Sequence, residues 1–455
     1  MELNKGIKTE KRENWGSRFG FIMATAGFSI GLGNIWRFPY LTGMNGGGAF
    51  LFVYLIICAL IGIPLFNMEI SLGRKTQLDP VRGMRSVSKK GSPWSAFGWT
   101  GVLAAFIILT YYIQIMGWIL AYLVKMVSGQ LTGLTAEGYT QAFTNFMANP
   151  MPIAAFTLAC AVIIGLISAK GLEKGIEKAC KIMMPTLFIM LIILAIRSLT
   201  LPGAMEGLKW YLTVDFSKIN SGVLLAALGQ SFFSIGIASG GAFIYGSYLN
   251  KQSNIPTDSI IVVGFDTLAA FIAGLVMFPA IFALGLPTDS GPSLLFVTMS
   301  NLFNQLPAGT LFGSMFFLLL LFAALSSALG YLEPVVATCT GLFNMTRKKA
   351  VWTSLAAIFI IGFPMIMAQG PWKNILIGGR NFFDFADYVS GNIMMPLGAL
   401  ILSFYVLIVW KFKGFQSETN VGSESGKFKV FNWWAPLVKF IIPIALVVIF
   451  VTGVF

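Results

Sequence analysis

Gly27-Phe28-Ser29-Ile30-Gly31-Leu32-Gly33-Asn34 interrupts an apolar run that extends from about residue 19 to residue 41. Each Gly weakens a helix by about 1 kcal/mol relative to Ala, so three of them beside Ser and Asn favour unwinding in the middle of the run. A second cluster of the same kind, Ser234-Ile235-Gly236-Ile237-Ala238-Ser239-Gly240-Gly241, sits inside the apolar stretch 221–249. Close packing of helices through small residues would also explain either cluster alone. Gly31-Leu32-Gly33-Asn34-Ile35-Trp36 superficially resembles a dinucleotide loop, but it lacks the last Gly and a preceding strand.

Around these clusters the chain is built for lipid. Of 455 residues 56% are apolar and 11% charged, with 49 Gly, against about 25% charged in soluble domains. A bilayer-spanning helix needs roughly 20 mostly apolar residues. Eleven runs qualify: 19–41, 47–71, 98–125, 151–169, 178–198, 221–249, 257–285, 310–343, 351–369, 387–411 and 435–455. The polar start, Met1 to Arg18, reads as no cleavable signal peptide.

Of the 31 basic residues, 24 fall in segments that share one side if the N-terminus is cytoplasmic. The positive-inside rule therefore places the N-terminus in the cytoplasm and, after eleven spans, the C-terminus outside a cell membrane. The net charge of +13 belongs to these loops and suggests no nucleic-acid partner. No His is present, which excludes His-ligated metals, His bases and His proton relays. Cys58, Cys160, Cys180 and Cys339 are scattered through near-apolar stretches, arguing against disulfides and zinc. No nucleophile–base pair is visible in any loop, so an enzyme is not expected.

The two Gly clusters open corresponding spans. Each begins a unit of five helices, and the units start on opposite sides of the membrane. Matching interrupted helices in inverted halves mark the central site of a transporter. Half-helix N-termini offer free N–H groups to a carboxylate, and freed carbonyls with Ser or Asn oxygens suit a small hard cation.

At Gly31-Leu32-Gly33-Asn34-Ile35-Trp36-Arg37-Phe38-Pro39-Tyr40 and Asn45-Gly46-Gly47-Gly48-Ala49-Phe50 the sequence resembles the neurotransmitter:sodium symporter family in its eleven-span prokaryotic form. Gly62-Ile63-Pro64-Leu65 with Glu69, Tyr111-Tyr112, Gln230-Ser231-Phe232-Phe233-Ser234 and Ser326-Ser327 extend the likeness over roughly residues 11–455. The resemblance implies an all-α polytopic membrane protein with 11 transmembrane helices and a 5+5 inverted repeat (the LeuT-type fold), helices 1 and 6 unwound at mid-membrane. The halves would be 19–198 and 221–411, preceded by a cytoplasmic segment 1–18 and followed by a loop and last helix over 412–455.

By the same resemblance, a first sodium ion would be held by Ser29, Asn34, Ser234 and Asp266 together with the substrate carboxylate. A second would use the carbonyls of Gly27, Ile30 and Ala323 and the hydroxyls of Ser326 and Ser327. Substrate would contact Ser29, Leu32, Gly33, Ile108, Tyr112, Phe233, Ser234, Gly236, Ser239, Ala328 and Tyr331. That set is mostly apolar and uncharged, which implies hydrophobic amino acids, aromatic ones included. Small residues at Gly236, Ser239 and Ala328 would leave room for bulk. Arg37, Gln230 and Asp387 would form an outer gate, and Arg12 with Trp15 an inner one.

Three departures from the family pattern carry information. Asp266 stands where chloride-dependent relatives have Asn, and Ala270 where they usually have Ser, so no chloride requirement is expected. Gly31 replaces the Asp of monoamine carriers, so the substrate must bring its own carboxylate. Thr340-Gly341-Leu342 lacks the acidic residue that many relatives offer to the inner gate. Glu69 is expected to receive backbone N–H groups from an unwound segment, while the role of Glu333 stays open. Pro185, with nine residues between it and Gly175, can kink or unwind the fifth span. The function implied is sodium-coupled import with two ions; a proton-coupled permease of the same architecture, or a channel or sensing receptor on this scaffold, are the alternatives.

Overall fold

The computed structural model describes residues 13–285, 294–423 and 428–454. The expected contacts of Arg12 therefore lie outside the described residues. Among them the chain is helical throughout, with one isolated bridge between Ile377 and Arg380.

Among the described residues, nine continuous helices are long and apolar enough to cross a membrane. With the interrupted segments they run in the order α1 Arg18–Ser29, α2 Gly33–Met44, α3 Gly48–Thr76, α4 Pro93–Val127, α5 Pro150–Ser168, α6 Leu172–Leu199, α7 Ser221–Ile235, α8 Gly241–Gly246, α9 Ile255–Ala283, α10 Gly309–Phe343, α11 Arg347–Met367, α12 Phe382–Thr419 and α13 Trp434–Val454. The pair α1 and α2 passes the same test as one span bent by 53°. Neither α7 nor α8 is long enough alone. An eleventh span thus depends on taking α7, the unwound residues between, and α8 as one crossing.

The two breaks differ in kind. Ile30 adopts an extended conformation (φ −74°, ψ 98°), and the chain re-enters through a wide π-type turn at Gly33–Arg37. Between α7 and α8, Gly236, Ala238 and Gly240 all have left-handed φ, at 72°, 63° and 77°. Gly takes that conformation freely and Ala does not. The strain at Ala238 is held from outside: its N–H donates to Glu69 Oε2 at 2.8 Å, and the Phe243 N–H donates to Oε1 at 3.3 Å. Glu69, fully buried on α3, thereby caps the start of α8 as its sequence suggests.

Pro185 does not interrupt its helix. It lies inside the continuous helix Lys178–Leu199, and the irregular stretch is a wide turn at Leu172–Glu177, opened by Gly171 at φ 93°. Pro removes one N–H but its φ is helical, so the surrounding packing carries the helix through it. The interior is centred on α4 and α10, which pack along much of their length; α1 and α6 lie against α10, and α9 packs on α1 and α6.

Candidate functional site

Both breaks open at the same depth, and the groups they free meet there. Asn34 is the centre of one cluster. Its Nδ2 donates to Asp266 Oδ1 at 2.7 Å, to the Asp266 carbonyl at 2.9 Å and to Ser234 Oγ at 2.9 Å. Ser234 Oγ in turn donates to the Asp266 carboxylate at 2.9 and 3.1 Å, and Tyr54 Oη donates to Ser234 Oγ at 3.3 Å. Ser29 lies on the other side, its hydroxyl donating to the Ile235 carbonyl at 3.2 Å. All four expected ligand residues are buried. The carboxylate is at present satisfied by N–H and O–H donors. A cation in this cluster would need the Asn34 amide turned over, so that its oxygen faces inward.

The second cluster brings a hydroxyl of α10 onto carbonyls of the first break. Ser327 Oγ lies 3.2 Å from both the Gly27 and the Ile30 carbonyls, which the break has released from the helix. Ser326 Oγ lies 3.0 Å from the Ala323 carbonyl and 2.9 Å from that of Phe322. A Cβ on Gly27 would sit 2.9 Å from Ser326 Cβ, so glycine is what lets α1 approach α10 here. These oxygens are all neutral, the kind of ligand that a small monovalent cation takes.

Above the first break a cavity of about 420 Å³ opens. Leu32, Gly33, Tyr112 and Phe233 line it, as expected of substrate contacts, together with Arg37 and Asp387. The Leu32 N–H, freed by the break, points to Tyr112 Oη at 3.5 Å. Ile108, Gly236, Ser239, Ala328 and Tyr331 do not line the cavity and are buried.

The space beside Gly236 is not spare volume. It is filled by the ring of Phe28: a Cβ on Gly236 would fall 2.6 Å from Phe28 Cζ, and Cβ atoms on Gly241 and Gly330 would also collide with that ring. Phe28 meets Tyr331 edge-on at 5.2 Å. Ser239 Oγ is likewise occupied, donating to the Gly236 carbonyl at 2.7 Å. Gly236 thus makes room for a side chain of the protein itself, which its being glycine could not reveal.

Of the three residues expected at an outer gate, Arg37 and Asp387 line the cavity without forming an ion pair, and Gln230 does not line it. The Arg37 guanidinium lies over the Phe233 ring at 4.6 Å, while Gln230 Nε2 donates to the Gly33 carbonyl at 2.8 Å. Asp387 faces the cavity alongside. Trp15, expected at an inner gate, donates its Nε1 to the Tyr245 carbonyl at 3.0 Å.

Where the Thr340-Gly341-Leu342 stretch lacks an acidic residue, the guanidinium of Arg82 rests against Gly341. Glu333 has a clear environment that the sequence left open. It is fully buried, bound by both Nη1 and Nη2 of Arg347 at 2.8 and 2.7 Å and by Tyr248 Oη at 2.7 Å. Arg347 also donates to the Ser168 carbonyl and lies 3.5 Å from Glu13. The signal available in the sequence was a single carboxylate inside an apolar span, which needs a partner; the partner came from the next helix.

The model of the sodium:neurotransmitter symporter family matches residues 12–138 and 142–455. The chain belongs to the sodium:neurotransmitter symporter family. It is 39% identical to the uncharacterized sodium-dependent transporter YhdH of Bacillus subtilis, with 98% of each chain covered. It is 35% identical to the uncharacterized sodium-dependent transporter MJ1319 of Methanocaldococcus jannaschii, over 96% of this chain and 89% of that one. In structure it matches the crystal structure of MhsT in complex with L-phenylalanine with a TM-score of 0.89 and 41% identity, covering 97% of this chain and 100% of that one. The fold is therefore that of MhsT, and the protein is a sodium-dependent, multi-pass membrane transporter and not an enzyme.

Proposed function

We propose that this transporter imports hydrophobic L-amino acids, aromatic ones included, by alternating access, with two sodium ions as co-substrates and without chloride. The observation that carries the reading is the cage at Gly27, Ile30 and Ser327, where carbonyls freed by the first break lie 3.2 Å from a hydroxyl of α10. Ala323 and Ser326 complete it. Ser29, Asn34, Ser234 and Asp266 hold the first ion, with the substrate carboxylate as a further ligand. A cation placed there meets a fixed negative charge on Asp266, which removes the need for chloride.

The amino acid lies against the free N–H groups of the first break, near Leu32, Gly33 and Tyr112, with Phe233 over it. Gly31 offers no carboxylate, so the substrate brings its own. A relative at 41% identity was crystallised with L-phenylalanine, which supports an apolar side chain. Gly236, Ser239, Ala328, Ile108 and Tyr331 form the floor beneath, with Phe28 among them. Arg37, Gln230 and Asp387 close the outer side, while Trp15, with Arg12, closes the inner side. The halves 19–198 and 221–411 form the inverted repeat of an eleven-span chain with the N-terminus in the cytoplasm and the C-terminus outside.

One ion crossing 100 mV releases about 2.3 kcal/mol, so two ions drive substantial accumulation. The test is uptake of radiolabelled leucine and tryptophan into proteoliposomes, with sodium or potassium outside and chloride or gluconate as anion. Uptake that needs sodium and ignores chloride is expected. Loss of uptake in gluconate would overturn the role of Asp266. Uptake driven equally well in potassium by a pH gradient would overturn the cation sites.

A further inference from the structure

The cytoplasmic end of α12 belongs mechanically to a different part of the molecule from its transmembrane part. Two independent features place the division at Lys411. The first is the backbone. Four other described residues besides glycine have positive φ. Three of them, Gln77, Ala308 and Asn344, pair it with ψ of 31–34°, the left-handed helical values common at helix ends. Lys411 instead combines φ 60° with ψ 155°, a region nearly reserved for glycine. The residue sits where the long helix leaves its apolar stretch, directly after Trp410.

The second feature is an anchor. Arg74, on the inner end of α3, has a side chain with no exposure to solvent. Its Nε donates to Glu418 Oε1 at 3.0 Å, its Nη1 to the carbonyls of Ser253 at 2.8 Å and Val421 at 3.2 Å, and its Nη2 to the Glu418 carbonyl. One guanidinium thus caps the C-terminal end of the helix Lys411–Thr419 and fastens it to the loop before α9. The bond between Ser71 and Thr419 hydroxyls (2.8 Å) and the ion pair of Lys251 with Glu418 (3.1 Å) join the same parts. Gln77 Nε2 ties α3 to the Leu249 carbonyl, so the loop itself is bound to α3. Beyond the helix, Asn420 and Val430 exchange two bonds that close the segment on itself.

We infer that the segment Lys411–Thr419 travels with α3 and the loop before α9 during transport, and that Lys411 is the joint about which the membrane part of α12 turns against it. Arg74 is then a positioning residue for α12, whose outer end carries Asp387 on the cavity. Buried, forked hydrogen bonding of this kind fixes relative position strongly, because each freed donor would be left without water. A rare backbone conformation held between two anchored bodies is where an equilibrium between two orientations concentrates its torsional change.

The inference rests on the protein's sodium dependence and not on the identity of the substrate, so the probe is sodium alone. Spin labels are placed on exposed positions of the intact transporter: Gln252 with Lys413 in one preparation, Gln252 with Val409 in another. On exchanging potassium for sodium, the 252–409 distance distribution is expected to shift while the 252–413 distribution stays in place. Equal shifts in both pairs, or no shift in either, would overturn the inference. In transport, Arg74→Lys keeps the charge and loses the fork. It is expected to lower the maximal rate at least fivefold with KM for sodium within twofold, and Glu418→Gln, which spares the buried guanidinium, to lower it less. A rise in KM with an unchanged maximal rate in both variants would also overturn it. Lys411→Gly, free to adopt the same backbone, is expected to retain the wild-type rate; its inactivation would mean that the lysine side chain and not the joint matters.

Discussion

The two oxygen clusters at the breaks use different chemistry at the same depth. Around Asn34 the cluster contains a buried carboxylate, and every close contact is a donor pointing at it. Around Ser327 there is no formal charge, only carbonyls and hydroxyls held near 3 Å. A charged site draws a cation strongly and depends on its one carboxylate. A neutral site depends on geometry and loses affinity gradually as ligands are removed. On the proposed reading, the charged cluster is the one suited to holding an ion and the neutral one to releasing it.

The sharpest way to break the comparison is Asp266→Asn. Removing one partner of a buried charge pair costs about 3–5 kcal/mol, and each 1.4 kcal/mol is tenfold. The sodium concentration for half-maximal uptake is expected to rise by about 10²–10³-fold, with chloride restoring part of the loss. A change under tenfold would show that the carboxylate is not a cation ligand.

Gly236→Ala tests whether the second break must keep its shape for either cluster to exist. Alanine at φ 72° costs about 1–2 kcal/mol, and its Cβ would lie 2.6 Å from Phe28, adding about 1–3 kcal/mol of overpacking. A fall in the thermal unfolding midpoint of several degrees is expected, and Phe28→Ala in the same chain should recover part of it. No recovery would mean that the ring is not the obstacle.

Ser327→Ala removes one neutral ligand, worth about 0.5–1.5 kcal/mol. Sodium activation is expected to weaken by roughly tenfold or less, with sodium still required. A loss as large as that of Asp266→Asn would erase the contrast between the clusters. The smallest effect is expected from Asp387→Asn at the cavity rim. Arg37 rests on Phe233 with no direct ion pair to Asp387, and exposed pairs are worth about 0–1 kcal/mol. Uptake at saturating substrate should stay within about fivefold of the parent.

The legibility of these features in the sequence follows their range. Glycine clusters at 27–34 and 234–241 announce breaks because backbone preference is local. Glu69 was readable as a cap because a carboxylate inside an apolar span needs donors, and the second break was an obvious source. The side chain filling the recess at Gly236 was not readable, since a glycine marks space without saying who takes it. Pro185 marks a permitted kink or unwinding, and its helix, Lys178–Leu199, is continuous through it. Glu333 could be recognised as unusual, but its partner Arg347 sits at the start of another helix, and nothing local links the two.

What the sequence determined by itself is the set of apolar helices, the location of both interruptions and the kinds of group freed there. These follow from hydropathy, from glycine's entropy and from the need to satisfy every backbone group away from water. What only the tertiary structure decided is which partner satisfies each group. Asn34 meets Asp266 across 232 residues of chain, and Gly27 meets Ser327 across 300. Such pairings depend on how whole helices pack, and many packings are compatible with one pattern of local preferences. Only the folded arrangement selects the one in which the freed carbonyls, the hydroxyls and the carboxylate converge.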